Sequence, residues 1–66
     1  MREAPLVEID VTVRRRTEKA LLVYDGKSEV WIPRSMIADH APDTDDDLAI
    51  TSIFLPEWFA TDKGLT

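Results

Sequence analysis

The chain contains no cysteine, which removes two classes together: scaffolds stapled by disulfides and zinc sites built on thiolates. That absence matters at 66 residues. A chain of this length buries only about 60% of its unfolded surface, and small scaffolds commonly lean on a staple, a metal or a second subunit. Glycine occurs twice, too seldom for a glycine-rich phosphate cradle. A single histidine gives no paired imidazoles for a transition metal. No apolar run approaches the roughly 20 residues of a membrane-spanning helix, and the opening Met1, Arg2, Glu3, Ala4 and Pro5 carry no signal-peptide core. These features lead us to expect one small, soluble, cytoplasmic domain over residues 1–66. There is no excess of positive charge either. Eight Lys and Arg stand against thirteen Asp and Glu, for a net charge of -5, which disfavours unguided binding to phosphate backbones.

The patterning of what remains is mostly that of strands. Val7, Ile9, Val11 and Val13 alternate with Glu8, Asp10, Thr12 and Arg14, so residues 7–14 read as a half-buried strand with one wet face. The same parity sends Arg14 and Arg16 to the wet face and Arg15 to the apolar one. A reversal is expected over 16–19, although no glycine, asparagine or proline identifies its type. Residues 20–24 are apolar at both parities and predict a strand central to the sheet. Asp25-Gly26 supplies a tight-turn dipeptide between two apolar runs. The returning strand, 28–32, brings Val30, Trp31 and Ile32 to the proline that ends it, Pro33. Ser35 is placed to cap a short turn. Residues 38–47 carry no large apolar side chain and predict an acidic loop. A last strand is expected over 48–55, and a short helix over about 56–63. In that helix Pro56 takes the first position, Trp58 and Phe59 dock on the sheet, Gly64 stops the helix and Leu65 folds back. The predicted class is mainly β, a small α+β fold of about four antiparallel strands in a partly rolled sheet with a C-terminal helix.

Four groups of residues merit weighing for function. Asp43, Asp45 and Asp47 match the first ligand positions of a calcium loop, but Leu48 and Phe54 stand where its glycine and bidentate glutamate belong. With His40 as the one imidazole, no metal site is expected, and the run reads as solvated. The basic cluster Arg14, Arg15 and Arg16 with Lys19, together with Trp31 and Tyr24, would suit a stacking platform for single-stranded nucleic acid on a small β-barrel-like module, with Arg14, Arg16, Lys19 and Trp31 as its candidate contacts. The competing reading pairs those arginines with Glu8, Asp10 or Glu29 across strands. Catalysis needs a nucleophile, a base and an orienting group in one pocket. Ser28, Ser35, Ser52 and His40 form no such set, so no catalytic residue, cofactor or small-molecule substrate is expected. The aromatics are read first as core or subunit contact. The alternative is an interaction surface, with Tyr24, Trp31, Arg34 and Trp58 as its candidate residues.

A resemblance adds context. It is carried by Thr17, Glu18, Lys19, Ala20, Leu21, Leu22 and Val23, by Val30, Trp31, Ile32, Pro33 and Ser35, and by Pro56, Glu57, Trp58, Ala60, Lys63, Gly64 and Leu65. In these the chain resembles small uncharacterised bacteriophage and prophage proteins. The resemblance implies an accessory protein of a phage or mobile element, with no catalytic residue to carry over. The expected function is accordingly non-enzymatic protein–protein interaction, of which acidic inhibition of a host factor is one form. A single-stranded nucleic-acid module is the alternative. A homodimer is expected, to cover what so small a sheet leaves open. No membrane partner is expected, and nucleic acid is disfavoured by charge.

Overall fold

In the computed structural model, which describes residues 5–65, the alternation of the first strand is realised in burial: Ile9, Val11 and Val13 are buried, Val7 packs beside them, and Glu8, Asp10, Thr12 and Arg14 face solvent. The run is nevertheless two strands, β1 (Leu6–Asp10) and β2 (Thr12–Arg16). They belong to different sheets, and the chain passes from one to the other at Val11, whose N–H donates to the Thr51 carbonyl at 3.0 Å. A side chain period of two continues through the crossing, so one apolar face serves both sheets.

Four further strands and a helix complete the fold: β3 (Ala20–Tyr24), β4 (Glu29–Pro33), β5 (Asp39–Ala41), β6 (Ser52–Pro56) and α1 (Glu57–Asp62). The six strands form two three-stranded antiparallel sheets, ordered β1-β6-β5 and β2-β3-β4, which do not close into a barrel. The mainly β class with a short C-terminal helix is therefore observed, with six strands where about four were expected. The extra two come from the divided first strand and from β5, which occupies part of the expected 38–47 loop. Packing between the sheets builds one core from Ile9, Val11, Val13, Leu21, Val23, Ile32, Ile50, Ile53, Leu55, Phe59 and Ala60.

The central position expected of 20–24 is observed for β3, where Leu21 and Val23 are fully buried. The Asp25-Gly26 turn is also observed. Gly26 adopts φ +100°, and the Asp25 carboxylate accepts from the N–H groups of Lys27 and Ser28 at 2.8 and 2.9 Å. Those two donors, Ser28 foremost, hold the Asp25 carboxyl below its ordinary pKa. The reversal at 16–19 is organised by Thr17, whose hydroxyl accepts from the Ala20 N–H at 3.0 Å, a local hydroxyl–backbone motif with no glycine to announce it. Pro33 ends β4 as expected, and a 3₁₀ turn follows at Arg34–Met36. Ser35 lies inside that turn and does not cap it; the cap position is Pro33.

The last strand begins later than expected, at Ser52, because Asp47–Ala49 form a second 3₁₀ turn capped by the Asp46 carboxylate on the Leu48 N–H. Helix α1 begins at Glu57. Pro56 is its cap, still in extended conformation, so its missing N–H falls just outside the helix rather than within it. At the other end Gly64 adopts φ +74°, and Leu65 donates to the Ala60 carbonyl at 2.8 Å and packs against the core, as expected.

Candidate interaction face

Two of the four candidate interaction residues lie on one face. In the β2-β3-β4 sheet, Val13, Leu21, Val23 and Ile32 point to the core, so the opposite face carries the alternate residues. Register places Arg15, Leu22 and Trp31 in one row across the three strands. Tyr24 and Glu29 are paired in the next row. Trp31 is 47% exposed, so of the two first readings, core or subunit contact, the core one is corrected for this indole. It stands on the sheet beside Leu22, which is largely covered by its neighbours yet lies outside the core cluster.

The arginines reach this face through an irregularity that parity reasoning does not include. The β2-β3 register shifts between Val13 and Arg15, leaving Arg14 as an extra residue. A bulge of this kind reverses the facing of the residues beyond it. Arg15 is thereby set opposite Leu22 on the outer face, and Arg16 opposite Leu21 toward the rim of the core, the reverse of the expected assignment. The Arg14 guanidinium lies 4.6 Å from the centre of the Tyr24 ring and 3.8 Å from the Glu29 carboxylate. The Arg15 side chain has no ion pair or hydrogen bond among the described residues.

The remaining candidates are placed elsewhere. Arg34 forms a fork: its guanidinium donates to both Asp47 carboxylate oxygens, at 3.3 and 2.7 Å, and to the Thr17 carbonyl, at 3.1 and 2.8 Å. It therefore ties the β2-β3 turn to the Asp47–Ala49 turn. Arg16 stands 3.8 Å from the same carboxylate. The Arg34 bond first, then the charges of Arg34, Arg16 and His40, hold the Asp47 carboxyl below its ordinary pKa. Lys19 lies in the β2-β3 turn and Trp58 on α1, where it is 59% exposed and meets Phe59 edge to face at 5.7 Å. The expected docking of α1 is thus made by Phe59 and Ala60, and Trp58 is a surface residue. Of the nucleic-acid set Arg14, Arg16, Lys19 and Trp31, only Arg14 and Trp31 share the outer face.

The concave features are open rather than enclosed. Leu21, Arg34, Ile37, His40, Asp47 and Ile50 line a cleft of about 140 Å³, and a more polar groove of about 300 Å³ runs past Ile9, Asp10, Asp25, Lys27 and Leu65, at the lower end of the range in which drug-sized ligands are held. The His40 Nδ1 sits 3.0 Å from the Pro42 carbonyl. Among the described residues no group of three or more His, Cys, Asp or Glu could hold a metal ion, and no helix is long and apolar enough to cross a membrane. Sequence reasoning did not select Leu22, and it included Arg15 in the basic cluster but on the wrong face; the signal that places both is the register shift, which is visible only once β2 and β3 are paired.

Compared with protein-family models, curated proteins and solved structures, the chain matches none.

Proposed function

We propose that this chain is a non-enzymatic binding protein, of the accessory kind its phage-like motifs imply, whose working surface is the outer face of the β2-β3-β4 sheet. The observation that supports this reading is the exposed Trp31 in one row with Leu22 and the unpaired Arg15. Retaining a half-exposed indole in one row with an unpaired cation stabilises the monomer little, whereas both groups are favoured at binding surfaces. Action in the bacterial cytoplasm, on a protein or a nucleic acid of the host or the phage, is consistent with this reading.

The test is co-purification from bacterial cells with wild type, Trp31→Ala and Arg15→Glu, with melting temperatures measured in parallel. A partner retained by wild type and lost from both variants, at little change in melting temperature, is the expected result. Retention by both variants would move the working surface elsewhere.

A second proposal concerns self-association. Hydrogen-bonded and non-bonded pairs alternate in antiparallel ladders, and the Arg34 to Lys19 and Asp25 to Ser28 bonds set the phase of β3-β4. The backbone groups of Glu29 and Trp31 consequently point away from β3, to a free edge. Homodimerisation through this edge would bring two copies of β4 together and leave the outer face open.

A further inference from the structure

Resting on the reading that the outer face of β2-β3-β4 is the working surface, we infer that its occupant is a single-stranded nucleic acid, with a base stacked on Trp31 and backbone phosphates held by Arg15 and Arg14. Three observations carry this: the charge of the face, its size, and the arrangement of its groups.

The charge is segregated. The chain is net -5, yet the face presents Arg14 and Arg15 with Glu29 as the one acid paired within its rows. Asp43, Asp45 and Asp46 belong to the connection that leads to the Asp47–Ala49 turn, and Asp47 is taken up by Arg34 and Arg16. Within its rows the face thus carries two arginines against one glutamate, a local balance opposite in sign to that of the whole chain, with Glu18 and Asp25 in the turns at its ends. Arg14 is also available. Its 3.8 Å contact with Glu29 joins two half-exposed side chains, and exposed pairs of that kind are weak, so a phosphate can displace it.

Size limits the occupant to a small footprint. Three strands of five residues span about 16 Å by about 14 Å at ordinary strand rise and spacing. The apolar part of the face is narrower still, since Leu22 offers little beyond its edge. An area of that extent suits two or three nucleotides.

The arrangement fits a strand of nucleotides crossing the sheet. Trp31 is 47% exposed, and Arg14 lies over Tyr24 at 4.6 Å, offering a guanidinium plane on which a second base can stack. Arg15 stands two strands from Trp31 in the same row, about 10 Å away at ordinary strand spacing, within the span of one nucleotide and its neighbouring phosphate. Stacking tolerates any base, so no sequence preference is expected.

The test uses Trp58→Phe, which leaves Trp31 as the one tryptophan of the chain. It is titrated with a thymidine oligonucleotide and a uridine oligonucleotide of about 12 nucleotides each, with a duplex of the same length and poly-glutamate as comparisons. Quenching of Trp31 by both single strands, and not by the comparisons, is expected. Two phosphate contacts give a slope near -1.4 in log affinity against log salt, so binding should weaken roughly sevenfold between about 50 and about 200 mM. Measured by anisotropy of a labelled oligonucleotide, Trp31→Ala and Arg15→Glu should each weaken binding by about tenfold or more, whereas Lys27→Glu, in the β3-β4 turn, should weaken it far less. No quenching up to about 100 µM protein at low salt, equal binding of the duplex, or binding that survives both substitutions would overturn the inference. A protein captured by wild type and lost from Trp31→Ala, with no oligonucleotide binding, would overturn it too while leaving the working surface where it is proposed.

Discussion

Trp31 and Leu55 are both large apolar residues in strands, and their contributions to folding should differ several-fold. Leu55 is wholly buried in the shared core, so Leu55→Ala should cost about 2–5 kcal/mol through lost transfer energy and the cavity left behind. That is comparable to the whole stability of a domain this size. Trp31→Ala removes a side chain that is already half in water, and should cost no more than about 1 kcal/mol. Urea denaturation of the two variants checks the contrast; a large loss from Trp31→Ala would mean that the indole is covered in solution. Asp47 offers a second test at this scale. Its carboxyl is held below the ordinary range chiefly by the Arg34 hydrogen bonds. A carboxylate depressed in the folded state contributes stability that is complete above its unfolded value of about 3.9 and is lost as pH falls through the lower folded value. Asp47→Asn should therefore be less stable than wild type at neutral pH, and its stability should decline less between about pH 5 and about pH 2. Urea midpoints taken stepwise across that range decide it, and parallel acid limbs would show that Asp47 contributes nothing to the pH dependence.

Among the elements, the β3-β4 hairpin is held by its turn as much as by its strands. Gly26 sits at φ +100° with nothing within 4 Å of where a Cβ would project, so Gly26→Ala meets no neighbour and should destabilise by about 1 kcal/mol through backbone conformation alone. Thermal melting measures it; an unchanged melting temperature would mean that the turn relaxes. This hairpin is legible from Asp25-Gly26, as is the apolar alternation of Val7 to Val13, because both depend on local geometry. The bulge at Arg14 is not, since it is a property of β2 paired with β3 and has no glycine to mark it. For the same reason parity alone reverses the facing of Arg15 and Arg16, and with it half of the candidate patch. Strand β5 is hidden because Asp39, His40 and Ala41 have no strand-forming pattern of their own; β6 supplies the ladder that makes them a strand. The exposure of Trp31 and Trp58 is open in the sequence for a different reason: an indole in a strand or a helix has the same periodicity whether its face is covered or not.

The molecule as a whole exposes edges as well as a face. If β4 pairs with its own copy, sedimentation equilibrium should show a mass rising from one chain toward two over a hundredfold range of concentration, and Trp31→Pro, which removes an outward N–H at that edge, should suppress the rise. A single-chain mass throughout would end the homodimer. Within one chain, the passage of a continuous strand from the first sheet to the second has a consequence for how the protein comes apart. Val11 belongs to the ladder of neither strand, yet it is buried in the core that both sheets share. Peeling either sheet away drags the same backbone out of the other, so there is no cut through the structure that leaves half of it intact. The shared core argues that the two sheets are lost in one cooperative step, and a ligand bound to the outer face of one sheet should then also slow exchange of those amides of the other that open only by global unfolding.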